Sequence, residues 1–181
     1  MPKLQLIFIV ETSDNDKSDT IYVRTVIDKF YIISDKEPDS IINIQIHCLN
    51  GKHHYKDKKV INYIRNQTKM FSNYNEEAIT KVIYFIDTDS IEKEYKNGSF
   101  FYNLQEFCKT NDYDLVWFCK NAENVFLNKE PDKIGNKTVA AKKFVSDNII
   151  ENIDENKISK DVIDYGCSNI LLILDQYLKR K

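Results

Sequence analysis

Short, nearly continuous apolar runs alternate along the chain with longer stretches whose apolar residues recur at helical spacing. Leu4 to Val10, Lys81 to Ile86 and Asp114 to Cys119 are runs rich in branched and aromatic residues. Runs this short and this apolar predict strands buried on both faces, as in a parallel sheet. Asn43 to Leu49 alternates apolar and polar residues and predicts a further strand, closed by the turn signal Asn50-Gly51. After a cap at Ser18 or Asp19, the positions Ile21, Val23, Val26, Ile27 and Phe30 predict a helix. Lys58 to Phe71 predicts another, with Val60, Ile61, Ile64 and Met70 apolar, as does Ser99 to Lys109, with Phe101, Leu104, Phe107 and Cys108 on one face. Lys120 to Leu127 predicts a short helix. Lys137 to Ile150 and Ser159 to Leu178 predict closing helices, the last carrying Val162, Ile163, Ile170, Leu171, Ile173, Leu174 and Leu178.

Strands alternating with helices imply an α/β fold: a Rossmann-like parallel sheet of about four strands, flanked by helices and joined by right-handed crossovers. The length of 181 residues fits a single domain, with a sheet core over about 4–127 and a C-terminal helical extension over about 137–181. Residues 128–138, with Pro131 and Gly135, read as a surface loop. The formal net charge of −2 supplies no global basic field to recruit nucleic acid. Cys48, Cys108, Cys119 and Cys167 form no CxxC pair and lie in or beside apolar runs, which points to reduced thiols in the cytoplasm rather than to a zinc site. The apolar start is too short for a membrane span and lacks a signal peptide's longer core, so no membrane association is expected.

Ligands of open parallel sheets bind beyond the carboxyl ends of the strands. Glu11 directly follows the first run, and Asp87 and Asp89 follow the third. Two residues apart on extended chain, Asp87 and Asp89 point the same way. If the two strands are neighbours, three carboxylates meet and raise one another's pKa values. A hard divalent cation, Mg²⁺ or Mn²⁺, removes that penalty. The plainer reading is that acids at strand ends make turns and caps, and it is preferred for Asp14, Asp16 and Asp19. His47, His53 and His54 lack a ligand-like arrangement, and Gly51-Lys52 lacks the rest of a phosphate loop. Trp117 and Phe118 read as core. The lysines of Lys52 to Lys59 and Lys129 to Lys143 either line a nucleic-acid path or are simply solvated.

The order of these segments resembles the Toprim pattern of topoisomerases, primases and OLD-family nucleases, and more closely the RloB-like family. The matching features are the strand Leu6 to Glu11, then Lys17-Ser18-Asp19 and Tyr22, then Ile86-Asp87-Thr88-Asp89, then Cys119-Lys120-Asn121-Ala122-Glu123-Asn124-Val125-Phe126-Leu127. The likeness covers roughly residues 4–127. Thr12 stands where the family has a glycine, the stretch after it is longer, and the Pro and Trp of the third segment are missing. The resemblance implies Mg²⁺-dependent (or Mn²⁺-dependent) phosphodiester cleavage by a nuclease, or a nuclease-like subunit, of a bacterial or mobile-element defence system. Glu11 would serve as general base or metal ligand, Asp87 and Asp89 as metal ligands, and Glu123 as a fourth ligand, with Asn121 a further matching position. Lys120 and Lys17 would meet phosphate or transition-state charge. Nucleic acid and a partner subunit are the implied partners. A module that binds either without catalysis is the alternative, and a flavodoxin- or receiver-like signalling domain fits the acid spacing less well.

Overall fold

The computed structural model describes residues 4–13, 16–33, 42–74, 77–88, 98–129 and 136–181. Its centre is a four-stranded parallel sheet formed by β1 (Leu4–Val10), β2 (Ile42–Cys48), β3 (Ile79–Asp87) and β4 (Asp114–Phe118), in the order β2-β1-β3-β4. The helices are α1 (Ser18–Phe30), α2 (Lys58–Tyr74), α3 (Phe100–Thr110), α4 (Ala122–Leu127), α5 (Lys137–Ser146) and α6 (Ile170–Leu174). The expected α/β architecture, a parallel sheet flanked by helices with further helices at the C-terminal end, is the one observed.

The apolar runs form strands because both faces of the sheet are covered. Leu6, Phe8, Val10, Ile83, Phe85, Val116 and Phe118 face a core built with Tyr22, Val23, Val26 and Ile27 of α1, Phe126 of α4, Phe144 of α5 and Leu171 of α6. Ile7, Ile9, Val82, Tyr84 and Ile86 face the other way, against Val60 and Ile64 of α2 and Leu104 and Cys108 of α3. Period-two alternation within β1 therefore supplies two cores from one run.

Three expectations are corrected. Ser159 to Leu178 is not one helix, since only Ile170–Leu174 is α-helical. Lys157 to Ser168 instead closes on itself, with Ser168 N donating to Lys157 O at 2.8 Å and Lys160 N to Ser168 O at 2.9 Å. Gly166 has a φ of 66°, and Val162 is solvent-exposed rather than packed. Lys137 to Ile150 breaks after Ser146, where Asn148 adopts a φ of 53° and a 3-10 turn follows over Ile149–Asn152. Met70, expected on the apolar face of α2, is exposed, and Phe71 packs in its place. Of the surface loop expected at 128–138, residues 130–135 lie outside the described residues.

The outer edge of β4 is sealed by the C-terminal segment. Asn169 Oδ1 accepts from Trp117 N and Asn169 Nδ2 donates to Leu115 O, both at 2.9 Å. Ser168 Oγ donates to Trp117 O at 2.7 Å, and Cys119 N donates to Cys167 O at 2.9 Å. Side chains here satisfy groups that a fifth strand would otherwise pair.

Candidate metal centre

In the order β2-β1-β3-β4 the chain leaves β1 toward one edge for β2 and returns past it for β3. The switch point lies between β1 and β3, where a crevice opens beyond their carboxyl ends. Glu11 follows β1, Asp87 ends β3, and the register pairs Val10 with Phe85. The two acids are in contact, Asp87 N donating to Glu11 Oε2 at 3.2 Å.

Three helices bring further charges to the crevice. Asn121 caps α4, its Oδ1 accepting from Asn124 N at 2.7 Å, and the same turn lets Ala122 N donate to Asp87 Oδ1 at 3.1 Å. Glu123, in that turn, is completely buried. Asp19, at the start of α1, is 2% exposed and accepts from Thr12 N at 3.3 Å. From α5, Lys137 Nζ stands 3.6 Å from Glu123 Oε2 and 3.8 Å from Asp87 Oδ2. The first turn of α5 is fixed by its Asn136 cap and by Thr138 Oγ1, which donates to Asp16 Oδ1 at 2.8 Å.

Burial and mutual repulsion set the protonation of these groups. Burial, then the charges of Glu11 and Glu123, push Asp19 up to about 7, against relief from Lys137 and the Thr12 amide. Burial, then Asp19 and Glu11, hold Asp87 well above the usual carboxylate range, with Lys137 opposing. Burial also raises Glu123, again against Lys137. Burial alone would lower Lys137, but Asp87, Glu123, Asp19 and Glu11 outweigh it and raise it. Burial likewise works upward on Asp16, yet hydrogen bonds from Thr138 and Ser18 hold it below its ordinary value.

Asp19 Oδ1, both carboxylate oxygens of Glu123 and the Tyr22 hydroxyl are buried without a hydrogen-bond partner among the described residues. Each such group ordinarily costs about 1–3 kcal/mol. Tyr22 belongs to the cluster, since after burial the charges of Glu123 and Asp19 do most to raise it. The chemistry of this donor set, hard oxygens with one ammonium among four carboxylates, fits a hard divalent cation. As it stands the arrangement is not a closed ligand set: no group of three or more His, Cys, Asp or Glu that could hold a metal ion is present among the described residues.

No family model matches the chain, and no curated protein matches it. The Toprim and RloB-like resemblance therefore rests on the residues that carry it.

Of the residues singled out in the sequence, Glu11, Asp87 and Glu123 come together at the switch point, and Asn121 serves as the α4 cap. Asp89 lies outside the described residues, as does Asp14. Lys120 has a φ of 64°, donates its amide to Thr88 Oγ1 at 3.2 Å and holds its ammonium over the Tyr165 ring at 4.5 Å. Lys17 is exposed. His47 stacks on Tyr63, and His54 pairs with Asp57 at 2.7 Å. Trp117 and Phe118 are core, as expected.

Two members of the cluster were missed. In the sequence Asp19 reads as a cap or turn residue, and Lys137 as one of a solvated or nucleic-acid-facing run. Both carried a signal. Asp19 precedes Tyr22, Val23 and Val26 at helical spacing, and Lys137 precedes Ala140, Ala141 and Phe144 in the same way. Residues at i, i+3, i+4 and i+7 share one helix face, so each charge stands on the same face as the apolar stripe that follows it. No helix among the described residues is long and apolar enough to cross a membrane.

Proposed function

We propose that the chain is a Mg²⁺- or Mn²⁺-dependent phosphodiester hydrolase, a nuclease or nuclease-like subunit acting in the cytoplasm. The observation that carries this is the set of buried, unpartnered acidic oxygens at the switch point of a parallel sheet. Asp87, Glu123 and Glu11 are the residues to hold the cation, and Asp89 joins them on its two-residue spacing from Asp87 and on the resemblance. A bound Mg²⁺ supplies polarisation of a phosphoryl oxygen and a lowered pKa for bound water. Glu11, the partly exposed acid of the group, takes the proton of the attacking water at the mouth of the crevice. Lys120, on the loop after β4, binds substrate phosphate. The substrate class of nucleic acid, the partner subunit and the defence setting come from the RloB-like resemblance.

The test is thermal unfolding with and without Mg²⁺ or Mn²⁺. At a hundredfold excess over the dissociation constant the wild type gains about 2.7 kcal/mol, or roughly 5–10 °C. Asp87→Asn abolishes the gain. No metal-induced shift in either protein sinks the proposal, and a labelled DNA and RNA cleavage assay then reads the activity.

One observation favours the non-catalytic alternative, a module that binds nucleic acid or protein: Lys137 already supplies a positive charge to the acids. On that reading lysine substitutions weaken partner binding and Asp87→Asn does not.

A further inference from the structure

The same lysine defines how the site is loaded. We propose that Lys137 is a tethered counter-cation which holds the metal-free carboxylate cluster together and must be displaced for a divalent cation to bind. This exchange presupposes the divalent-cation site proposed above.

Three observations carry it. Lys137 Nζ lies at ion-pair distance from both Glu123 Oε2 and Asp87 Oδ2, so it stands between the acids of α4 and β3. The contacts of 3.6 and 3.8 Å are too long for hydrogen bonds, and both Glu123 oxygens keep no such partner among the described residues. The ammonium therefore neutralises the acids without satisfying them. Its side chain is 40% exposed, whereas that of Glu123 is fully buried, so the lysine has a path to solvent that the carboxylate lacks.

An ammonium and a divalent cation compete for these oxygens, because like charges at such separations repel strongly in a buried site. Binding is then an exchange, and the measured affinity includes the cost of displacing the lysine. Thr138, adjacent to Lys137, is bonded to Asp16 on the segment between β1 and α1. Displacement of Lys137 thus acts on a turn already tied to the mouth of the crevice.

The test is isothermal titration of wild type, Lys137→Met and Asp87→Asn with Mg²⁺ and with Mn²⁺. Methionine keeps the length and apolar stem but removes the charge. Lys137→Met should bind at least about tenfold more tightly than wild type, a coupling within the ordinary range. Equal or weaker binding by Lys137→Met, with binding lost in Asp87→Asn, overturns the exchange and leaves the metal site standing. No binding by any of the three overturns the metal site itself. A second measurement needs no variant: NMR of reductively ¹³C-methylated wild type. Saturating Mg²⁺ should move the Lys137 resonance to that of an exposed lysine, and an unmoved resonance at saturation overturns the exchange.

Discussion

Replacing Asp19 by asparagine should make the metal-free protein more stable, and by an amount that depends on pH. Asp19 is held at about 7 against an ordinary value of 3.8. The folded protein therefore binds a proton more tightly than the unfolded chain does. The contribution of Asp19 to stability falls as pH rises from about 4 to 7, while the unfolded carboxyl is ionised and the folded one is not, and is flat above that window. At 1.36 kcal/mol per pKa unit, ionised Asp19 costs the folded state about 4 kcal/mol at pH 8. Asparagine removes the charge, keeps the shape and retains an oxygen to accept from Thr12 N. The expected gain is about 2–4 kcal/mol at pH 8, shrinking to less than about 1 kcal/mol at pH 4.5. The assay is urea unfolding followed by circular dichroism at both pH values, on protein freed of metal by EDTA. A variant no more stable than wild type at pH 8, or a gain equal at both pH values, refutes the assignment of burial and like-charge repulsion to Asp19. A stabilising change at such a site is what a functional carboxylate predicts, since its strain is maintained for use rather than for folding.

The other expectations concern the frame that holds the acids. Phe144 is fully buried against Tyr22 and Phe126, so Phe144→Ala should cost about 3–5 kcal/mol in urea unfolding and weaken the Mg²⁺-induced shift as Tyr22 and α5 loosen. Asn169→Leu removes both side-chain hydrogen bonds to the β4 edge and leaves Trp117 N and Leu115 O to find other partners, at an expected cost of about 2–3 kcal/mol. Warmed mildly until its stability matches that of the Phe144 variant, the same variant should show concentration-dependent light scattering that the Phe144 variant does not.

The strands were legible because each is bounded by a sharp change in composition. Leu4 to Val10 begins and ends where it was expected, and β2, β3 and β4 differ only at their ends. The closing segment misled because apolar spacing over Ser159 to Leu178 is blind to competing local bonds. Gly166 takes a left-handed φ, and the Ser168 and Asn169 side chains bond the β4 backbone rather than tolerating a helix. Glu11 and Asp87 were legible as strand ends, and their contact followed once β1 and β3 proved to be neighbours. Lys137 was not, because it lies in a lysine-rich stretch whose members look alike until the first turn of α5 is placed. The Asn136 cap and the Thr138 bond to Asp16 decide which of those lysines enters the crevice.

The seal on β4 also orders events in time. β4 is the last strand of the sheet, and the residues that satisfy its outer edge stand about fifty positions further along the chain. During folding the sheet can assemble while that edge still offers unpaired amides and carbonyls. Synthesis from the N-terminus delivers all four strands before residues 167–169, so edge closure is expected to follow sheet assembly. The hazard of strand addition between molecules is then concentrated in the interval before residues 167–169 dock, and it is governed by a rate rather than by the stability of the finished fold.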